Sequence, residues 1–284
     1  MAQEMVIVHE AQRWDGFQLV VFDFDGTLCL GDDPVLTYAQ RVDEALAERS
    51  VSDNGTKGHP TSRRVSVREA VQRGLDAGDL NVPEIRFDDD GYPVDIAGRT
   101  DMALWPLQDG YQLVQLLGLQ AGLTSVDTHA AFRASRTQLL DHGLATSDVH
   151  APDGADEIIS QLQEEAAVVL ITNSPAENFD VWLTQLGLEY HFDLIINSAK
   201  KPTGMAAAVD HARTTLQHEG EAIPMEAVVS IGDIWGNDLA YVHEHGGHTI
   251  LIDRFSTGLG TPDHRVQDAA SALALLHHQK ATSK

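Results

Sequence analysis

Residues 17–29 read FQLVVFDFDGTLC, a short apolar run that passes straight into aspartate and glycine. A run of this kind ending in a turn predicts a buried strand. Asp33-Pro34 follows as an N-cap and first-turn pair, and Val35, Tyr38, Val42 and Leu46 mark the apolar face of the helix it opens. The periodicity lapses over residues 50–64, SVSDNGTKGHPTSRR, which reads as a mobile loop near 50–65. It returns at 66–75, breaks over 81–100 around Pro83, Gly91, Pro93 and Gly98, and resumes in two helical patterns at roughly 101–119 and 125–143. From 152 onward the texture alternates. Helix-like 153–164, 175–187, 203–217 and 238–245 each precede an apolar run: Ala166–Ile171, Phe192–Ile196, Ala227–Ile231 and Thr249–Ile252.

These runs are rich in Val, Ile and Leu and do not alternate with polar residues, as expected of parallel strands covered on both faces. The order predicts an α/β fold, a doubly wound parallel sheet that the strand near residue 20 also joins. Residues 1–31 and 151–284 then form a discontinuous core, and 32–150 a helical insertion.

Composition narrows the function. The chain has 284 residues, 43% of them hydrophobic, enough for a sizeable core. Lys and Arg number 19 against 43 Asp and Glu, a net charge of −24 that repels nucleic acid and anionic lipid. The single cysteine, Cys29, excludes an intrachain disulfide. No apolar run reaches membrane-spanning length and no signal peptide is evident, so a cytoplasmic protein without nucleic-acid or membrane partners is expected.

In open parallel sheets, ligands sit beyond the carboxyl ends of the strands. After the first run come Asp23 and Asp25, which face the same way in extended chain, with Phe24 on the other side. Two adjacent carboxylates repel by roughly 4 kcal/mol at an effective dielectric near 20. A divalent cation relieves this, and hard carboxylate oxygens suit Mg2+. Gly26 permits the tight turn that follows. After the second run, Thr172 presents a strand-end hydroxyl, while Ser174, Pro175 and Glu177 fit a capping box that starts the next helix. The third run leads to Lys200-Lys201-Pro202, the one lysine pair in the expected core, and the fourth to Asp233 and Asp238. Asp233 sits where a metal ligand belongs. Asp238 either supports the metal or caps a helix.

Together, LVVFDFDGTL, VVLITN, KKP and VVSIGDIWGND resemble the four motifs of the haloacid dehalogenase-like hydrolases, in that family's order. The resemblance implies a Rossmann-like core with a C1-type helical cap over 32–150. It implies an aspartyl-phosphate on Asp23 and acid–base catalysis by Asp25. Thr172, with Gly26, Thr27 and Asn173, would bind phosphate, and Lys201 would steady the intermediate, with Lys200 as the register alternative. Mg2+ would lie among Asp23, Asp25 (through its backbone carbonyl), Asp233 and Asp238. Ile234 departs from the pattern, which often has Ser or Thr there. The implied activity is a Mg2+-dependent phosphatase for a small phosphorylated metabolite, because dehalogenases of the family usually lack the second aspartate. A phosphomutase is the alternative within the family. A receiver-like or non-catalytic phosphate-binding module is the alternative outside enzymes.

Other signals are read as structural. His243, His245 and His248 fall at an expected helix end. Asp88-Asp89-Asp90-Gly91 fails the calcium-loop register. Arg63, Arg64, Arg68 and Arg73 mark a surface helix, and Trp105 and Trp182 are packing residues.

Overall fold

The computed structural model describes residues 16–53, 65–94, 104–217 and 220–281. Most of the expected loop at 50–65, with Arg63 and Arg64, lies outside them. Six parallel strands form one sheet: β1 (Leu19–Phe22), β2 (Ala167–Ile171), β3 (Leu194–Ile196), β4 (Val228–Gly232), β5 (His248–Ile252) and β6 (His264–Val266). Their order is β3-β2-β1-β4-β5-β6, with β1 paired to both β2 and β4. This is the Rossmann-like α/β core the sequence predicts.

Side chains alternate across β1 as the pleat requires. Val20 and Phe22 enter a core with Phe24, Ile159, Trp182 and Leu273, whereas Leu19 and Val21 enter one with Ile171, Met205 and Val209. Helices α5 (Ala155–Gln163), α6 (Phe179–Leu186), α7 (Met205–Thr215), α8 (Ala240–Glu244) and α9 (Ala269–Ala281) accompany the sheet.

Between β1 and α5 lie α1 (Asp33–Asp53), α2 (Val67–Ala77), α3 (Gly110–Gln120) and α4 (Ser125–His142). Most of their buried apolar residues share a separate cluster that includes Val42, Val71, Leu113, Val114 and Leu116, whereas Leu139 near the end of α4 packs into the core beside the sheet. Ser66–Glu69, Asp109–Gln112 and Thr124–Asp127 form capping boxes that begin the last three of these helices. Leu30 and His150 exchange backbone hydrogen bonds of 2.9 and 3.2 Å where the chain enters and leaves this insertion.

Several element boundaries differ from expectation. Within the pattern at 101–119 the α-helix among the described residues starts at Gly110, where Asp109 supplies the N-cap. The helix expected from Pro175 starts at Phe179, after a turn. The segment expected at 238–245 begins earlier, with a π-helical turn over Trp235–Leu239. β6 and α9 are additional elements. Among the described residues, no helix is long and apolar enough to cross a membrane.

Candidate active site

The carboxyl ends of β1, β2 and β4 deliver Asp23, Thr172 and Asp233 to one edge of the sheet. The turn after β1 is closed by the Phe24 carbonyl, which accepts from the amides of Thr27, Leu28 and Cys29. At Gly26 φ is 83°, and a Cβ there would stand on the Asp233 carboxylate. Glycine therefore lets the turn and this aspartate come together.

Lys201 stands at the centre. Its Nζ donates to Asp23 Oδ1 at 2.5 Å and to Asp238 Oδ1 at 2.6 Å, and the residue is buried. The Lys201 backbone is clamped by Asn173, whose Oδ1 accepts from its amide at 2.7 Å while Nδ2 donates to its carbonyl at 3.1 Å. Lys200 has φ of 57° and is exposed, whereas Lys201 is buried and bonds two of the carboxylates, so of the two lysines Lys201 enters the cluster. The second oxygen of Asp238 accepts from the Ile234 amide at 2.9 Å. The backbone thus secures Asp238 without the hydroxyl side chain that Ile234 replaces.

Ligand oxygens of Asp23, Asp233 and Asp238 lie within 4.8 Å of one another, all buried. Asp233 Oδ1 and Thr27 Oγ1 are buried without a hydrogen-bond partner. Three carboxylates face one ammonium, an excess of negative charge that a dication would balance. Burial pushes Asp23 up to about 7, with Lys201 opposing the rise and Asp238 adding to it. Burial, then the neighbouring Asp109 carboxylate, raises Asp233 well above the usual carboxylate range. Burial disfavours the Lys201 cation, but Asp23 and Asp238 outweigh it and keep the ammonium protonated. This donor set of hard oxygens, one of them unsatisfied, fits Mg2+.

Asp25 contributes no carboxylate oxygen to that group. Its Oδ1 accepts from Arg136 Nη1 at 2.8 Å and from the Tyr111 hydroxyl at 3.4 Å, and its Oδ2 from Ser174 Oγ at 2.5 Å. The capping box expected at Ser174 is therefore absent: the hydroxyl serves Asp25, and α6 begins later. Thr172 is fully buried. Its Oγ1 accepts from the Ser174 amide at 3.0 Å, which leaves its proton free to donate. A fifth strand-end carboxylate, Asp253 after β5, is consumed locally by Thr257, Gly258 and Arg265.

Four residues at this edge come from the insertion and are missing from the sequence reading: Gln108, Asp109, Tyr111 and Arg136. Gln108 Oε1 accepts from the Trp235 amide at 3.0 Å, across from the metal-ligand candidates. One signal for Arg136 is visible in retrospect. It occupies the buried face of α4 among Thr128, Ala131, Ser135 and Leu139, where a cation is out of place.

A parallel sheet with buried aspartates and a buried lysine at its carboxyl edge defines a Rossmann-like α/β enzyme. The model of the haloacid dehalogenase-like hydrolases matches residues 17–242, and the chain belongs to that family. A predicted phosphoglycolate phosphatase from Haemophilus somnus is similar in structure, with TM-score 0.51 and 14% identity over 91% of this chain and 97% of that one. A haloacid dehalogenase-like protein of unknown function from Agrobacterium tumefaciens has TM-score 0.51 and 16% identity over 93% and 100%. A 2-haloacid dehalogenase from Pseudomonas syringae has TM-score 0.45 and 18% identity over 92% and 99%. Identities this low show the fold alone. No curated protein matches the chain closely enough to count as a relative.

Proposed function

We propose that the protein is a Mg2+-dependent phosphatase acting on a small phosphomonoester, with Asp23 as nucleophile. The observation that carries this reading is the buried group of Asp23, Asp233 and Asp238 around a single lysine, with one Asp233 oxygen unpartnered. A dehalogenase attacking a neutral carbon has no need of a cation there, whereas a phosphate dianion does.

Asp23, Asp233 and Asp238 would hold Mg2+, together with the Asp25 backbone carbonyl. The ion would supply charge neutralisation at the phosphoryl oxygens. An Asp23 carboxylate oxygen attacks phosphorus, and the bond to the leaving oxygen breaks as Asp25 gives that oxygen a proton. Water then attacks the same phosphorus and gives its proton to Asp25. The bond to Asp23 breaks and inorganic phosphate leaves. Lys201 offsets charge on the nucleophile throughout. The Thr172 and Thr27 hydroxyls donate to the phosphoryl group, alongside Asn173 and the Gly26 turn.

Residues 32–150 act as a cap over the core formed by 1–31 and 151–284, and a cap excludes macromolecules from the site. The substrate is accordingly a small phosphorylated metabolite, and the working compartment the cytoplasm.

The test is phosphate release from 4-nitrophenyl phosphate. It should require MgCl2, stop with EDTA, and fall by roughly a thousandfold or more in Asp23→Asn. Undiminished turnover in that variant, or halide release from 2-haloacids without phosphatase activity, defeats the proposal.

A further inference from the structure

Both carboxylate oxygens of Asp25 are held, and by different parts of the molecule. Ser174, from the turn after β2, takes Oδ2 at 2.5 Å, while Arg136, from α4 of the insertion, takes Oδ1 at 2.8 Å. Arg136 is 5% exposed. Its guanidinium carbon lies 3.6 Å from the centroid of the Trp182 ring, with the Phe24 and Phe132 rings at 5.6 and 5.9 Å. Aromatic faces favour a planar cation and fix its orientation. Burying a guanidinium on the apolar side of a helix is costly unless it is paired, and its ion-pair partner is Asp25. Neither Arg136 nor Ser174 touches the carboxylates grouped around Lys201.

We propose that Arg136 is the positioning residue of Asp25, acting with Ser174 to fix the plane and rotamer of the carboxylate. The inference rests on the reading of Asp25 as the acid–base group. It links two parts of the chain: Arg136 lies on α4 of the insertion, and its end of that helix packs with Phe24 and Trp182, in the core cluster that also buries Leu139.

The experiment compares kcat/KM for phenyl phosphate and 4-nitrophenyl phosphate, esters of similar size whose leaving oxygens differ in their need for a proton. It uses the full chain with Mg2+. Asp25→Asn should lose far more activity with phenyl phosphate than with 4-nitrophenyl phosphate. Arg136→Met should show the same selectivity, with phenyl phosphate suffering roughly tenfold more, and Ser174→Ala a smaller shift in the same direction. Arg136→Lys keeps the charge without the flat fork and should fall between wild type and Arg136→Met; it carries the test if the Met variant does not fold. Equal losses on both esters in the Arg136 and Ser174 variants, beside a selective Asp25→Asn, overturn the positioning role while sparing Asp25. A non-selective Asp25→Asn overturns the acid–base reading itself, and the inference with it.

Discussion

Gly26 is the residue with the least room at the site. Its φ of 83° is strained for any other residue, and an added methyl group would displace the Asp233 carboxylate. Gly26→Ala should therefore weaken Mg2+ binding by roughly tenfold or more, a loss of about 1.4 kcal/mol, and cost about 1–2 kcal/mol of stability from backbone strain. Calorimetric titration with MgCl2 reads the first effect; a wild-type affinity in this variant would show that Asp233 is not a ligand. Asp23, Thr172 and Asp233 can be located from sequence because each directly follows an apolar run, and the end of a parallel strand is a local property of sequence; Asp238 lies in the turn beyond and does not share that signal. Lys201 needed the structure to separate it from Lys200. Ser174 was misread because Ser-Pro-Ala-Glu satisfies a helix cap locally, while its actual partner, Asp25, lies 149 positions away. Arg136 was unread because nothing near it in the chain says which strand end its helix covers.

At the scale of elements, the seam between insertion and core is built from reciprocal caps. Asp148 accepts from the amides of Asp32 and Asp33 at 2.7 and 3.0 Å, and Asp33 accepts from the Asp148 amide at 3.0 Å. The first turn of α1 thus borrows its cap from the returning chain, next to the Leu30–His150 pair. A carboxylate there also suits the positive end of the helix dipole. Asp148→Ala should cost about 1–2 kcal/mol in urea unfolding, and Asp148→Asn, which keeps one acceptor, less. An unchanged midpoint in Asp148→Ala would mean water replaces the cap without loss. Long elements such as α1 and α4 were legible from periodicity, whereas boundaries set by caps or turns were not. β6 has three residues, too few to make a run. In α9 the buried Ala269, Ala272, Leu273 and Leu276 are hidden by further alanines and leucines around the same turns.

For the molecule as a whole, the net charge of −24 and the buried acidic site make the response to salt ambiguous unless pH is used to divide it. Any salt screens surface repulsion and stabilises a strongly acidic chain. Binding at the site differs, because the ion competes with protons. Asp23 rises from the ordinary carboxylate value of 3.8 to about 7, mainly through burial, and Asp233 rises too. A raised carboxyl group favours the folded state while protonated. Without a cation, its contribution is fully present below about pH 4 and is lost as pH climbs toward 7. A dication stabilises the ionised forms, so its effect should grow over that same window, with protons released on binding. Saturating MgCl2 should therefore raise the melting temperature more at about pH 8 than at about pH 5.5, beyond the rise from KCl of equal ionic strength. Asp233→Asn should keep the KCl response and lose the excess. If MgCl2 and matched KCl give the same rise at both pH values, screening alone acts on this protein and the buried carboxylates hold no ion.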